Sequence, residues 1–267
     1  MTVRQAFYML EVAGIVEKTE AGYAKVQKQL VVMRREGLLD WDFIADGTRW
    51  QRKPATFNSV EDYLESVARA YRRDLWRDHD VRIEVWLEKD ALADVIVDTT
   101  ASWDVALMVS HGQSSVTFTH AAAEAARQAW ERSDTATYIY SLYDHDAGGD
   151  RACRAIESDL SEFAPGVPIY FERLAVTPAQ IVQWNLPTRP PKASDPEAAK
   201  WGTKPAVELD AIDPNQLNQL VEAAILRHVD QRRWARLQAV EDDEREGLLS
   251  LAGQWKGGRF NGSGGQS

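Results

Sequence analysis

Two apolar runs that stop at carboxylates constrain this chain more than any other feature. The first is Val81-Arg-Ile-Glu-Val-Trp-Leu-Glu88-Lys89, and the second is Ala136-Thr-Tyr-Ile-Tyr-Ser-Leu-Tyr143-Asp144-His145-Asp146-Ala-Gly-Gly-Asp150. Branched and aromatic residues dominate both, which predicts strands over 81–88 and 136–143. Side chains at the carboxyl ends of parallel strands converge in the crevice where open α/β sheets bind ligands. Glu88, Asp144 and Asp146 brought to one such place would repel one another unless protonated or bridged by a cation. For hard oxygen donors the usual cation is Mg²⁺, held by one or two carboxylates with waters and phosphate oxygens. An Asp-x-Asp ahead of glycine also serves as a plain strand-to-helix connection with a capping Asp, and that reading stays open.

The surrounding pattern alternates. Strand 81–88 precedes helix 91–102, strand 105–110, helix 115–132, strand 136–143, helix 149–163 and strand 169–174. This order predicts an α/β fold with a parallel sheet and helices on both faces. Val105 to Val109 is apolar throughout, as a central strand would be. His111, just past that strand, and Lys89 and Asp150 beside the acidic motifs, are expected to support the site from behind the ligands. Beyond Thr177, residues 185–205 are rich in proline and polar side chains and predict a long loop. A short strand over 207–212, a long helix over 215–245 and a flexible Gly/Ser tail complete the chain.

Upstream, residues 4–13 predict a helix ended by Gly14. A second helix over 21–36 carries Tyr23, Val26, Leu30 and Met33 as one buried stripe. A β-like hairpin through 38–53 and a helix over 60–77 follow. Helix, turn, helix and hairpin is the order of a winged helix-turn-helix, with the second helix as reader. Lys28, Arg34 and Arg35 on that helix, and Arg49 in the basic stretch after it, are candidate phosphate contacts. Such charges also commonly do no more than solvate an exposed face.

The net charge of −10 argues against a generic nucleic-acid coat. Yet residues 1–79 hold 13 Lys and Arg against 12 Asp and Glu, so the acidity lies downstream, where the carboxylate motifs are. With 44% hydrophobic residues the chain can bury a core. No apolar run approaches the roughly 18 residues that span a bilayer, and no signal-peptide pattern opens the chain. Cys153 is the single cysteine, so an internal disulfide is excluded. A cytoplasmic protein without a membrane partner is expected.

Taken together, the motifs resemble the A subunit of type IIB DNA topoisomerases (topoisomerase VI) and its meiotic double-strand-break relatives, over about residues 3–230. Arg4-Gln5-Ala6-Phe7-Tyr8 is similar to the motif that opens that family's CAP-like winged helix. Glu88, Asp144 and Asp146 match the carboxylates of its Toprim metal site, and Val207-Glu208-Leu209-Asp210-Ala211 looks like its Glu-Leu-Asp-Ala stretch. The resemblance implies a winged-helix domain at 1–79, a Toprim domain at 80–184 and a carboxyl-terminal elaboration at 185–267. It implies Tyr8 as the nucleophile on a phosphodiester of double-stranded DNA, and Mg²⁺ on Glu88, Asp144 and Asp146. Arg4 lies one helical turn from Tyr8 on the same face and is expected to bind the attacked phosphate. A homodimer is implied as well, since the family's tyrosine works with its partner's metal site. So is a separate ATPase B-type subunit, although the extension that docks it would precede Arg4, where this chain has three residues. Two alternatives stand beside this expectation. One is a Toprim nuclease that hydrolyses DNA with metal-activated water, and the other is a non-catalytic DNA-binding or assembly module.

Overall fold

The protein is described by a computed structural model, which covers residues 1–40, 43–44, 55–77, 79–110, 116–190 and 198–256. In chain order the helices are α1 (Val3–Val12), α2 (Glu20–Arg35), α3 (Val60–Ala70), α4 (Ala93–Ser102), α5 (Val116–Ser133), α6 (Ala147–Phe163), α7 (Pro178–Gln183), α8 (Ala198–Trp201), α9 (Pro214–Leu226) and α10 (Gln231–Lys256). The strands are β1 (Val81–Leu87), β2 (Ala106–Val109), β3 (Ala136–Leu142) and β4 (Ile169–Ala175). They form one parallel sheet in the order β2-β1-β3-β4.

Alternation along the strands assigns each side chain to a face. Trp86 of β1 and Ile139 of β3 join Ala122 and Ala123 of α5 and Ala152, Cys153, Ile156 and Leu160 of α6 in one core. Trp86 is fully buried, and its ring meets Phe118 at 4.8 Å. Burying a ring of this size contributes on the order of 4 kcal/mol at about 25 cal/mol per Å². Its indole N–H donates to Glu84 Oε2 at 2.7 Å, so the burial leaves no donor unsatisfied. On the opposite face α4 and α9 pack together, and the Asn218 amide donates to Val95 O at 3.0 Å. Cys153 is a free, buried thiol, as expected.

Several elements differ from the expectation. Among the described residues Ala106–Val109 is an edge strand, not a central one; Ala106 is exposed and the rest are half-buried, and an apolar run of this length does not by itself separate an edge strand from a central one. The strand expected at 207–212 is a 3₁₀ turn over Leu209–Ala211. Val207 makes only an isolated antiparallel bridge to His145, after which the Leu209 N–H is taken by the Asp144 carboxylate. The helix expected over 215–245 is two helices, because the Asp230 carboxylate accepts the N–H groups of Arg232 and Arg233 and starts α10 afresh. The third helix ends at Ala70, well before Arg77: Tyr71 is extended (ψ 128°), its hydroxyl donates to Glu244 at 2.6 Å, and the Arg73 N–H goes to Glu241 at 3.0 Å.

Packing separates two compact units, residues 1–49 with 79–228 and residues 50–78 with 229–267. In the first, α1 and α2 belong with the sheet. In the second, α3 packs against α10, with Trp76 and Trp234 at 5.3 Å. This partition is discontinuous, with segment ends at 49/50, 78/79 and 228/229. The hairpin expected through 38–53 lies largely outside the described residues. Among the described residues no helix is long and apolar enough to cross a membrane.

Candidate functional site at the carboxyl ends of the central strands

In the order β2-β1-β3-β4, chain connections leave β1 in one direction and reach β3 in the other. The crevice above the carboxyl ends of β1 and β3 is therefore the place where such a sheet binds ligands. Register carries Glu88 and Asp144 to it. Leu87 pairs with Leu142, and the Glu88 N–H donates to Leu142 O at 3.1 Å. The Glu88 side chain then turns across the strand ends, and its Oε2 accepts the Asp144 N–H at 2.8 Å. Asp144 is 7% exposed.

The chain downstream is stitched to the same place by two short bridges. His145 and Val207 exchange backbone hydrogen bonds of 2.8 and 3.0 Å, and Arg189 and Ala206 exchange bonds of 2.8 and 2.9 Å. These place Arg189, Glu208 and Asp210 beside the strand ends, and Leu209 N–H caps Asp144 Oδ1 at 2.8 Å. Lys89 sits among them, with Nζ 2.9 Å from Asp144 Oδ1, 2.8 Å from Asp210 Oδ2 and 3.9 Å from Glu208 Oε2. Glu208 also pairs with Arg4 at 3.0 Å and with Arg189 at 3.5 Å. Glu208, Asp210 and Arg189 were not singled out as site residues by motif. The Glu-Leu-Asp-Ala stretch was the one signal that pointed toward two of them.

Arg4 and Tyr8 reach this network from α1. Thr2 caps that helix and shares a capping box with Gln5. Tyr8 packs with Phe7 and Val26 and is 5% exposed, and it lines the same cleft as Glu208. A cleft of about 470 Å³ opens beside it, lined by Arg4, Lys18, Tyr23, Gln27, Arg189 and Glu208 among others.

Asp146 lies two residues on from Asp144, at the start of α6. It is the N-cap of α6, its Oδ1 accepting the Gly149 N–H at 2.9 Å, and its Oδ2 meets Arg189 at 3.1 Å. Gly149 is needed here, because a Cβ would collide with Asp144 O. Asp150, in the first turn of α6, faces Arg173 at 3.7 Å and Arg154 at 3.4 Å. On α2, Lys28 and Arg35 are exposed, whereas Arg34 is half-buried and donates to Ile44 O at 2.6 Å. Arg49 and His111 lie outside the described residues.

Burial and then the nearby Asp144 push the Glu88 carboxyl up to about 7. Burial also raises Asp144, against the pull of Lys89. Burial would lower Lys89, yet Asp144, Asp210 and Glu208 together hold its pKa above the usual lysine value. Burial would raise Glu208, but Lys89, Arg4 and Tyr8 hold it below the usual carboxylate range. Burial, followed by Glu208, pushes the Tyr8 phenol well above its ordinary value.

Among the described residues no three His, Cys, Asp or Glu side chains are grouped as metal ligands. The donor chemistry nevertheless suits one hard cation. Glu88 Oε1 and Asp144 Oδ2 accept no hydrogen bond from described residues, while the other oxygen of each carboxylate is held in place. Two carboxylate oxygens with waters and a phosphate are what Mg²⁺ takes. Charge agrees: Glu88, Asp144, Asp146, Glu208 and Asp210 face Lys89, Arg4 and Arg189, a formal excess of two negative charges. Comparison with known proteins returns no matching family model and no matching curated protein.

Proposed function

We propose that the chain is a divalent-cation-dependent enzyme that breaks phosphodiester bonds of double-stranded DNA, built as a winged helix joined to a Toprim domain. The observation that carries this reading is the 2.8 Å hydrogen bond from Asp144 N–H to Glu88, at the switch point of the parallel sheet. Mg²⁺ held by Glu88 and Asp144 would supply charge neutralisation at the attacked phosphate and its leaving oxygen. Arg4, half-exposed in the cleft, binds a phosphate oxygen by charge-assisted hydrogen bonds. Arg189 holds Glu208 and Asp146 in place beside Tyr8, whose oxygen attacks phosphorus as its proton passes to water in the cleft. The product of this step is a 5′-phosphotyrosine, with the 3′-oxygen leaving. Lys28 and Arg35 on α2 hold flanking phosphates, and a second copy of the chain and the cytoplasm as location belong to the same proposal.

A second reading gives the attack to water, with Tyr8 structural. Its support is the burial of Tyr8 and the raised pKa of its phenol, both of which disfavour a phenolate. Supercoiled plasmid incubated with protein and Mg²⁺, then stopped with detergent, separates the two. Protein-linked 5′ ends that vanish in Tyr8→Phe support the tyrosine, and free ends that persist in Tyr8→Phe support water. Intact plasmid together with retained DNA binding would leave a non-catalytic binding module and end the enzymatic reading.

A further inference from the structure

The cleft beside Tyr8 differs in charge from the crevice at the strand ends. Arg4, Lys18 and Arg189 line it against Glu20 and Glu208, a formal excess of one positive charge. These cations come from three stretches of chain: α1, the turn before α2 and the segment after α7. Two of them are committed to carboxylates of the site. Arg4 pairs with Glu208 at 3.0 Å, and Arg189 pairs with Asp146 at 3.1 Å and Glu208 at 3.5 Å. Among the described residues Lys18 has its ion pair with Glu11, at 3.9 Å and so beyond hydrogen-bond reach. Its side chain keeps 29% of its surface exposed, and its ammonium group stands 5.0 Å from the centre of the Tyr8 ring. The negative face of a ring attracts a cation without using its hydrogen-bond donors. A lysine carries three such donors on a flexible stem, so from this position it can turn to a phosphate oxygen in the cleft.

We propose that Lys18 and Arg4 form a seat for one phosphodiester group of the DNA backbone, placed against the Tyr8 side chain. The inference rests on the reading of the cleft as the place where DNA is bound. It adds a contact that no motif contains, because Lys18 lies in the turn between α1 and α2. Lys18 takes one non-bridging oxygen as a point charge, and Arg4 takes the other through its planar fork. At about 470 Å³ the cleft has the size of sites that enclose small molecules, so a phosphate with its sugars fits. The two parts of the site are then complementary, a cleft of positive excess for the phosphate and a crevice of negative excess for the cation.

Binding of the full chain to a short DNA duplex, measured by fluorescence anisotropy without divalent ions between about 50 and 200 mM salt, tests this without reference to activity. Each phosphate neutralised by a lysine contributes about 0.9 to the slope of log affinity against log salt. Lys18→Met is expected to weaken binding by roughly tenfold near 0.1 M salt and to lower that slope by about one. Lys18→Gln, a second neutral variant, should match it, and Lys18→Arg should restore both quantities. A side chain that only packs on Tyr8 would leave the slope unmoved. Unchanged affinity and slope in either folded neutral variant overturn the inference and leave the proposed function standing. A lowered slope, with plasmid left intact by the native chain in Mg²⁺, upholds the phosphate seat and overturns the enzymatic reading. A native chain that binds no duplex overturns both.

Discussion

The Asp144 backbone N–H donates to the Glu88 carboxylate at 2.8 Å, joining residues 56 positions apart at the ends of two neighbouring strands. That single bond orients Glu88 over the crevice and leaves its second oxygen for a cation. It also sets up a dependence on pH. The Glu88 carboxyl, pushed up to about 7 from 4.5, retains a proton in the folded state that the unfolded chain has released. Stability is therefore fully present below about pH 4.5 and is lost as the pH rises through about 7. The loss is expected to be at most about 3 kcal/mol. Urea midpoints for the metal-free protein at pH 5 and pH 8 measure it, and Glu88→Gln should flatten the difference.

The same proton opposes cation binding. Mg²⁺ or Mn²⁺ affinity should rise by roughly tenfold per pH unit up to about 7, then level off. Calorimetry in buffers of different ionisation enthalpy should detect one proton released per ion below that pH. Affinity that is flat between pH 5.5 and 7.5 would mean that Glu88 is not a ligand.

Asp144 and Asp146, two residues apart, should respond differently. Asp146→Ala removes the N-cap of α6 and is expected to destabilise the protein by about 1 kcal/mol, whereas Asp146→Asn keeps a capping oxygen and most of that stability. Neither should abolish cation binding. Asp144→Asn should abolish it, and a titration of all three variants separates cap from ligand.

Glu208 holds Arg4, Arg189 and Lys89 at once. Glu208→Gln leaves these cations without their shared partner and should destabilise the folded chain by about 2–3 kcal/mol, after allowance for the exposure of Arg4. A denaturation curve with an unchanged slope is the check.

Gly149→Ala should disturb the site although it removes no charge. Its methyl would press on the Asp144 carbonyl, so either α6 or the Asp144 turn must shift, at about 1–3 kcal/mol. Weaker cation binding in a variant that still folds is the expected sign.

The central strands and their acidic ends were legible in the sequence because both signals are local: branched and aromatic residues along β1 and β3, then carboxylates where they stop. Tyr8 and Arg4 were legible as one face of a helix for the same reason. Arg189, Glu208 and Asp210 were not, because two isolated backbone bridges bring them to Asp144, and such bridges leave no periodic trace. The edge position of β2 and the break at Asp230 escaped in the same way. The first depends on which strand its neighbour also pairs with, and the second on one side chain competing for two backbone N–H groups. The packing of α3 with α10 joins segments more than 150 residues apart, as in the Tyr71 to Glu244 hydrogen bond, and no spacing rule reaches that far.

Cleavage of supercoiled plasmid as a function of Mg²⁺ concentration, comparing the native chain with Asp144→Asn and Glu88→Gln at pH 8, tests the central claim most directly. The account predicts Mg²⁺-dependent breakage by the native chain and a fall of at least about a hundredfold in each variant. Breakage that proceeds equally well in both variants, or that needs no divalent ion, would contradict it.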